Sequence, residues 1–377
     1  MSYLISEAAQ DLLGDVKDFC ENEVKEPCKE FDRSGEWPKE IYDQAIEMQL
    51  HMLEVPEEYG GMGLSRVDVA ALFEEMAKAD AGFATTISAS GLGTKPVLIA
   101  GSEELKKRAC QLIVDGGFGA FCLTEPGAGS DASAGKTTAV KDGDSYILNG
   151  RKCFITMAPI ADQCIVYAKT DPEKGAKGIT CFMVDMILRG VSCGRHEEKM
   201  GQRGVAVSDV VLEDVRVPKD CVIGEVGMGF INAMKTLSVG RVGVSSMCLG
   251  MAQEAIDLAV NHTKNRVQFG KPLAKMQALQ FMMADMETKL NAARLLTYNA
   301  AYLLDTRQPA DKAASMAKYY SAEAAIEIVN KSLQLHGGYG YSREYEIERI
   351  YRDVRVCSIY EGSSQVQQMV ISGQLLK

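Results

Sequence analysis

Apolar residues recur at steps of three and four along the first third of the chain. Leu12, Val16 and Phe19 fall on one stripe, which is the spacing of an amphipathic helix. Similar spacing continues along this part of the chain and includes a segment at 103–114. The pattern predicts an N-terminal α-helical domain over residues 1–117.

The hydrophobic period then changes to two. Short runs of β-branched and aromatic residues follow one another from about residue 118, separated by turns such as Asn149-Gly150. Because no helix-length segment lies between these runs, a βαβ sheet is not expected. The pattern predicts a middle antiparallel β domain, a barrel or a sandwich, over residues 118–225.

Long helical patterns return after this region. They cover 230–269, 276–306, 310–336 and 344–360, with short loops between them. This arrangement predicts a C-terminal four-helix bundle over residues 226–377. The expected fold class is therefore α+β and multidomain, in the order helices, strands, helices.

Composition and charge exclude several classes of function. The 377 residues carry a formal net charge of −10, whereas binding to nucleic-acid phosphates needs a basic face. No apolar run is long enough to span a bilayer. The N-terminus becomes acidic at Glu7 and resembles neither a secretory signal nor a transit peptide, so we expect a cytoplasmic protein with no membrane or nucleic-acid partner.

The cysteines and histidines do not form a metal-binding pattern. The 11 cysteines contain no CxxC pair, and the four histidines contain no HxxxH or HExxH pattern. Buried, reduced thiols are the favoured interpretation, and no metal site is expected.

A glycine-rich loop at 121–132 is the first candidate for ligand binding. It contains a match to GxGxxA, but the next regular element is a predicted strand, whereas the dinucleotide fingerprint needs a helix there. A Rossmann site is therefore rejected. The loop can still bind an anion or a heterocycle through its N–H groups, Thr124 and Ser130. Taken alone, an ordinary turn is the better interpretation.

Two further segments combine glycine with polar side chains. The segment 266–272 fails as a phosphate-binding Walker loop, because Lys271 precedes Pro272. Arg266 can pair with a phosphate, but a helix-terminal cation that complements the helix dipole explains it equally well. In the segment 334–341, Gly337 and Gly338 indicate the end of a helix.

A carboxylate near the C-terminus is the best candidate for a base. Glu361 follows Tyr360 and precedes Gly362 and two serines. An aromatic neighbour can help to exclude water, and a desolvated carboxylate holds its proton more tightly. Such a base can remove a proton from carbon.

The order of these motifs along the chain is more informative than any one motif alone. The sequence TEPGAGSD is followed by NGRKCFIT, RVQFGKP, QLHGGYGY, RDVR and IYEGSSQVQ. Over essentially its whole length, the chain resembles the acyl-CoA dehydrogenase family, of the short- or medium-chain type linked to an electron-transferring flavoprotein. The order of helices and strands is also that family's.

The resemblance implies a non-covalently bound FAD and assigns its contacts. The family's flavin-facing loop corresponds to Phe121, Leu123, Thr124, Gly129 and Ser130, and its flavin-facing strand corresponds to Phe154 and Thr156. The pyrophosphate and adenine contacts that the family takes from a neighbouring subunit correspond to Arg266, Gln268 and Phe269, and the pyrophosphate-binding turn corresponds to Gln334, Gly337 and Gly338. The adenosine site corresponds to Ser363 and Gln365.

The resemblance also implies the chemistry. Glu361 corresponds to the base that removes the α-proton of an acyl-CoA thioester, while the β-hydrogen leaves as a hydride to flavin N5, giving the trans-2-enoyl-CoA, or the reverse. Arg241 corresponds to a CoA-binding cation, although a buried structural ion pair is the alternative. Ser130, Tyr360 and Gly362 are the other substrate-binding candidates. Some relatives carry the base at the position of Gly240, where glycine cannot serve.

Substrate and partners are less closely defined. Ser238, Phe154 and Met157-Ala158 depart from the residues common in the family, which affects the shape of the pocket. The segment 83–92, which aligns with the acyl-pocket wall, has mostly small side chains. A short- to medium-chain acyl-CoA is favoured, and a 3-arylpropionyl-CoA dehydrogenase or arylacrylyl-CoA reductase is the alternative.

Two further alternatives are an acyl-CoA oxidase and an inactive family scaffold. The physiological direction of the reaction stays open. The resemblance implies a homotetramer and an electron-transferring flavoprotein as the redox partner.

Overall fold

The computed structural model describes residues 5–376. The acidic N-terminus, on which the expectation of no targeting peptide rests, includes residues 1–4, which lie outside this range. The described part of the chain begins with six α-helices. They are α1 (Glu7–Phe19), α2 (Lys25–Ser34), α3 (Lys39–Glu47), α4 (Arg66–Ala79), α5 (Ala81–Ala100) and α6 (Glu103–Val114).

Side-chain caps fix where four of these helices begin. The side chains of Ser6, Ser65, Asp80 and Ser102 each accept a hydrogen bond from a backbone N–H in the first turn of α1, α4, α5 and α6. The predicted helical segment 103–114 coincides with α6. Helix α5 is longer than the pocket-wall segment 83–92 and is buried over most of its length.

The middle of the chain is a β domain, as predicted, and its strands form one sheet. Its strands are β1 (Gly119–Cys122), β2 (Thr138–Asp142), β3 (Ser145–Thr156), β4 (Gln163–Lys169), β5 (Ile179–Asp185), β6 (Val191–Cys193), β7 (Val207–Pro218) and β8 (Val222–Ile223). The order is β6-β7-β3-β2-β4-β5-β8, with β1 against β4. Most pairings are antiparallel, but β4 runs parallel to β1 and meets β2 in a parallel bridge.

The C-terminal part is helical. It contains α7 (Gly229–Asn265), α8 (Gln277–Asp305), α9 (Asp311–His336), α10 (Ile347–Val354) and α11 (Ser364–Leu375), with a hairpin of β9 (Val267–Gln268) and β10 (Lys271–Pro272) after α7. Two predicted bounds are wrong. The helix predicted at 230–269 ends at Asn265, because the chain turns into the hairpin. The helix predicted at 344–360 is confined to α10 and a following 3-10 turn, and α11 was not predicted.

All three parts of the chain meet at one buried amide. The Asn232 side chain on α7 accepts a hydrogen bond from Tyr167 Oη on β4 (2.8 Å) and donates to the Pro96 carbonyl on α5 (2.8 Å). Nearby, α5 crosses β1 so closely that a Cβ on Gly93 would lie 2.5 Å from the backbone of Gly119. Helix α5 is therefore packed tightly against the sheet that carries the glycine-rich loop.

Candidate active site

Glu361 lies in a tight turn between α10 and α11. Both Glu361 (φ 51°) and Gly362 (φ 91°) have left-handed backbone conformations, and such a conformation is uncommon for a glutamate. Two buried side chains hold the turn: Lys318 Nζ donates to the Gly362 carbonyl (2.8 Å), and Gln367 Nε2 donates to the same carbonyl (2.9 Å) and to that of Glu361 (3.2 Å). The turn is thereby fixed from α9 and α11.

The carboxyl group of Glu361 is enclosed but lacks a partner. Its Oε2 is buried and accepts no hydrogen bond from the described residues. Burial raises the pKa of Glu361, and the positive charges of Lys95, Lys318 and Arg241 oppose this effect in decreasing order. The carboxyl rests against Gly240, where a Cβ would lie 2.5 Å from Oε2. The group thus has the properties of a base that takes a proton from carbon.

The backbone N–H of Glu361 is also available. It donates to no group in the part of the chain that the structure describes, whereas the N–H of the preceding Tyr360 bonds to the Val356 carbonyl. A carboxylate and a backbone N–H of one residue can therefore serve the same ligand.

Arg241 lies on α7, close enough to Glu361 for their charges to interact. It is buried, and its Nη1 donates to Ser315 Oγ (3.1 Å) and to Ser238 Oγ (3.4 Å), while its Nε has no partner among the described residues. Ser238 in turn donates to Asp311 (2.6 Å). These bonds go to serine hydroxyls, and Arg241 forms no ion pair with the described residues, so the buried ion pair is not observed and a role for Arg241 in binding CoA stays a prediction.

The glycine-rich loop and strand β3 are joined directly. Cys153 N–H donates to the Thr124 carbonyl (2.9 Å), which places the neighbouring Phe154 and Thr156 beside the loop. The pairing of β3 with β7 shifts register between Lys152 and Ile155, and Phe154, with φ 56°, projects into solvent. Irregularities of this kind re-aim side chains next to active sites.

A buried ion pair anchors the same loop. Lys152 Nζ donates to Glu125 (2.8 Å) and to the carbonyls of Leu123 (3.2 Å) and Tyr167 (2.6 Å). Glu125 also accepts from the backbone N–H of Thr137. The part of the loop next to β1 is thus held rigidly, whereas its tip at Gly129 is open.

The other predicted loop residues surround this anchor. Phe121 is half-buried, with its ring 5.2 Å from that of Tyr167 in an edge contact, and Leu123 is buried. Gly129 and Ser130 are exposed, and a Cβ on Gly129 would meet nothing within 4 Å. The loop therefore offers an open, glycine-lined surface.

A second group of predicted residues lies at the far ends of α7 and α9. The guanidinium of Arg266 lies over the ring of Tyr339, 5.2 Å from its centroid. Gln334 is exposed, and Gly337 ends α9 with φ 60°. A Cβ on Gly337 or Gly338 would meet nothing within 4 Å, so a phosphate can approach this backbone closely.

The hairpin between α7 and α8 carries the rest of this group. Gln268 is exposed, and Phe269 is 93% exposed with φ 52°. The assignment of Gln268 and Phe269 to the flavin contacts stays a prediction.

Ser363 and Gln365 stand at the start of α11. Ser363 caps the helix by accepting from Val366 N–H, and Gln365 is exposed in the first turn. Their role in holding adenosine stays a prediction.

The residues around Glu361 and the residues around Arg266 lie far apart within one chain. Arg241 and Arg266 are separated by roughly 37 Å along α7, and Lys318 and Gln334 by about 24 Å along α9. Arg266 is therefore too distant to hold the pyrophosphate of a flavin whose ring lies against Glu361 of the same chain.

Several residues that shape the site were missed in the sequence. Lys318 and Gln367 fix the Glu361 turn, and Lys95 on α5 is the cation with the largest effect on the Glu361 carboxylate. Gln367 falls inside the quoted IYEGSSQVQ motif, which was the available signal. Nothing in the helical pattern distinguishes the two lysines from surface lysines.

Comparisons with known proteins agree with this architecture. Models of the acyl-CoA dehydrogenase N-terminal, middle and C-terminal domains match residues 6–117, 120–215 and 227–376. The chain is 54% identical to the 3-(aryl)acrylate reductase of Clostridium sporogenes, covering 96% of this chain and 97% of the relative. It is 51% identical to the caffeyl-CoA reductase–Etf complex subunit CarC of Acetobacterium woodii, covering 96% of each.

Solved structures give the same result. Butyryl-CoA dehydrogenase from Megasphaera elsdenii superposes with a TM-score of 0.96 at 40% identity, covering 99% of both chains. The chain belongs to the acyl-CoA dehydrogenase family. It is an FAD-dependent enzyme that acts on the CH–CH bond next to an acyl-CoA thioester.

The residues present fit the flavin dinucleotide. The loop at Gly129 and the turn at Gly337 and Gly338 are open to a close approach, as a pyrophosphate and a ribityl chain require. Arg266 supplies a cation beside the second of these openings.

Proposed function

We propose that Glu361 is the base that removes the α-proton when the enzyme converts an acyl-CoA to the trans-2-enoyl-CoA, and that returns it in the reverse reduction. The observation that carries this proposal is an enclosed carboxyl group with a raised pKa and an unpartnered oxygen, held on a strained turn. A base with these properties takes a proton from a weak carbon acid more readily than an ordinary solvated carboxylate does.

Other groups of the chain bind the thioester oxygen and hold the Glu361 turn in place. The free N–H of Glu361 can donate to the thioester oxygen, which gains negative charge as the α-proton leaves. Lys318 and Gln367 keep the turn in place, so that the carboxylate and the N–H meet the same substrate. When bound, FAD supplies the acceptor for the β-hydride.

The substrate we propose is a short- to medium-chain acyl-CoA. A 3-arylpropionyl-CoA, or its arylacrylyl counterpart in the reductive direction, is the second candidate. Two relatives, named as an aryl-acrylate reductase and a caffeyl-CoA reductase, support this second candidate.

We further propose that the flavin site is shared between chains of a homotetramer. Gly240, beside Arg241 on α7, contacts Glu361, and Arg266 lies roughly 37 Å further along that helix. This separation supports the shared site, because a second chain must then bring Arg266, Gln268 and Phe269 to the cofactor.

The redox partner and the compartment are proposals of the same kind. The relative that is a subunit of an Etf complex supports an electron-transferring flavoprotein as the electron partner. None of the helices in residues 5–376 is long and apolar enough to cross a bilayer. All eleven cysteines lie in that range and are free thiols, which supports the reducing environment of the cytoplasm.

Replacing the base tests the proposed function. Purified Glu361→Gln enzyme, mixed anaerobically with butyryl-CoA, hexanoyl-CoA or 3-phenylpropionyl-CoA, should keep its yellow flavin and bind the thioester while losing nearly all flavin reduction. Glu287→Gln, an exposed residue on α8, is the matched control and should reduce normally. Full flavin reduction by Glu361→Gln would assign the base to another residue.

A further inference from the structure

Three polar residues on one face of α9 bond to neighbouring elements around Glu361. Asp311, Ser315 and Lys318 follow one another at steps of four and three, so their side chains share that face. Asp311 and Ser315 bond to side chains of α7, whereas Lys318 bonds to the carbonyl of Gly362. Asp311 lies roughly 10 Å from Lys318 along the helix axis. The face therefore links the first turn of α9 with the turn that carries Glu361.

The bonds between α9 and α7 form a chain with a fixed direction. Ser238 Oγ donates to Asp311 Oδ1 (2.6 Å), and Arg241 Nη1 lies 3.4 Å from the same Ser238 oxygen. A serine hydroxyl has one proton, and Ser238 gives it to the carboxylate. Towards Arg241 this hydroxyl can therefore only accept, so the chain runs from guanidinium to hydroxyl to carboxylate.

The charge of Arg241 is buried and has no direct carboxylate partner among the described residues. Arg241 is 5% exposed, and its two hydrogen bonds go to Ser238 and Ser315. Burial lowers the pKa of Arg241, and the charges of Glu361 and Asp311 oppose this effect in that order. Because an uncompensated buried cation is costly, the carboxylate at the end of the chain stabilises Arg241 at one remove.

The same cation acts on the proposed base. Burial raises the pKa of Glu361, the positive charges of Lys95, Lys318 and Arg241 lower it, and the charge of Glu54 raises it. These charged groups come from α5, α9, α7 and the segment before α4. A carboxylate that takes a proton from carbon must bind that proton strongly, so cations without compensation would weaken the base.

We propose that Asp311 is a positioning residue that acts through Ser238 on Arg241. It holds the guanidinium in place and offsets part of the positive charge that reaches the Glu361 carboxylate. This inference rests on the proposed function, because it takes Glu361 as the base. A first-turn acid also complements the dipole of its own helix, but that role needs no hydroxyl between the acid and a buried guanidinium.

Removing the charge of Asp311 provides the first test. Asp311→Asn keeps an acceptor for Ser238 but loses the negative charge, so the pKa of Glu361 should fall and the base should become ionised at lower pH. Over about 10 Å of water one charge changes a pKa by roughly 0.3 of a unit. We expect the rising limb of flavin reduction by butyryl-CoA, measured at low ionic strength, to move to lower pH by about that amount or more.

The control for this variant is another first-turn acid. Glu104→Gln, at an exposed position in the first turn of α6, should keep the native pH profile. A limb of Asp311→Asn that moves to higher pH would overturn the inference. An equal movement of the limb in Glu104→Gln would overturn it as well, because the effect would then belong to any acid of this kind.

Moving the carboxylate along the chain of bonds is the second test. The double variant Ser238→Asp/Asp311→Asn places the charge directly beside Arg241. Its limb should return to the native pH or pass above it, since the guanidinium is compensated again. A limb that stays where Asp311→Asn alone puts it would contradict the proposed chain.

Infrared spectroscopy separates this inference from the proposed function. The carboxyl band that is lost in Glu361→Gln reports the protonation of Glu361 in the resting FAD enzyme, without turnover. In Asp311→Asn this band should titrate at lower pH than in the native enzyme. If the rate limb stays in place, a band that shifts supports the role of Asp311 and assigns the base to another residue. A band that also stays in place overturns the inference.

A variant of the linking hydroxyl keeps the inference testable if Asp311→Asn fails to fold. Ser238→Ala removes one oxygen atom and should move the titration of the Glu361 band in the same direction, because Arg241 loses the acceptor that connects it to Asp311. Ser246→Ala, a buried serine of α7 that bonds within its own helix, is the matched control and should titrate as the native enzyme does. Identical titrations of the two serine variants would overturn the inference.

Discussion

The carboxyl group of Glu361 occupies the space that a side chain at position 240 would need. A Cβ on Gly240 would lie 2.5 Å from Glu361 Oε2 and 3.1 Å from its Cδ. Two positions on different elements, the turn before α11 and the middle of α7, therefore compete for the same space. Glycine on α7 and glutamate in the turn are parts of one arrangement.

Adding a methyl group at position 240 should displace the base. In Gly240→Ala the carboxyl group must move by a substantial fraction of an ångström, and a misplacement on that scale costs about 100-fold in rate. We expect stopped-flow flavin reduction by acyl-CoA to slow by that order while FAD stays bound. Gly14→Ala, in α1 with nothing within 4 Å of the added Cβ, is the control and should react at the native rate. A native rate in Gly240→Ala would show that the turn adjusts freely.

Removing the charge of Lys318 should change the pH dependence of the reaction. The Lys318 charge lowers the pKa of Glu361, and its Nζ also holds the Gly362 carbonyl. In Lys318→Met the pKa of Glu361 rises, so the pH at which the base becomes ionised moves upward. We expect the rising limb of the rate of acyl-CoA oxidation to shift to higher pH, with a maximal rate about tenfold lower from the lost hydrogen bond.

Lys331→Met serves as the control for that experiment. Lys331 is on the same helix but bonds to Asp285 and Glu327, away from the Glu361 turn. Its pH profile should match the native one. A limb that moves to lower pH in Lys318→Met, or does not move, would contradict the electrostatic role of Lys318.

Mixing two inactive variants should restore activity if the flavin site is shared. Glu361→Gln lacks the base, and Arg266→Ala lacks a cofactor contact that we place on the neighbouring chain. When the two are co-expressed, about a quarter of all sites should combine Glu361 of one chain with Arg266 of another, by random pairing across a two-fold interface. Activity per bound FAD, measured in the co-expressed preparation, should rise accordingly.

A flavin site built from one chain predicts a different activity for the co-expressed variants. No site of the mixed preparation would then contain both native residues, and activity would stay at the sum of the separate variants. A mass equal to one chain by light scattering would contradict the shared site independently.

The sequence pattern predicted amphipathic helices well and the most deeply buried helix poorly. Helix α6 was predicted with its observed bounds, because its apolar residues fall on one face. Helix α5 is buried nearly all round and is built from alanine, glycine, serine and threonine, so it shows no stripe against which a period can be measured. Only the resemblance to a family placed it near the acyl group.

Some residues of the candidate site were likewise evident in the sequence, and others were not. Glu361 stands out because its immediate neighbours are an aromatic residue and glycine, which is a local signal. Lys318 holds the Glu361 turn through a contact with Gly362, 44 positions away. Contacts of that range depend on how helices pack, and one sequence carries no local mark of them.

The junction at Asn232 has a consequence for how the enzyme responds to its ligands. One amide joins the sheet that carries the glycine-rich loop, helix α5 and the long helix α7. With these three bodies pinned at a single buried point, a hinge between domains would break both hydrogen bonds at once. Binding should therefore proceed through small adjustments of side chains and turns, and the spacing between flavin and thioester is set before either arrives.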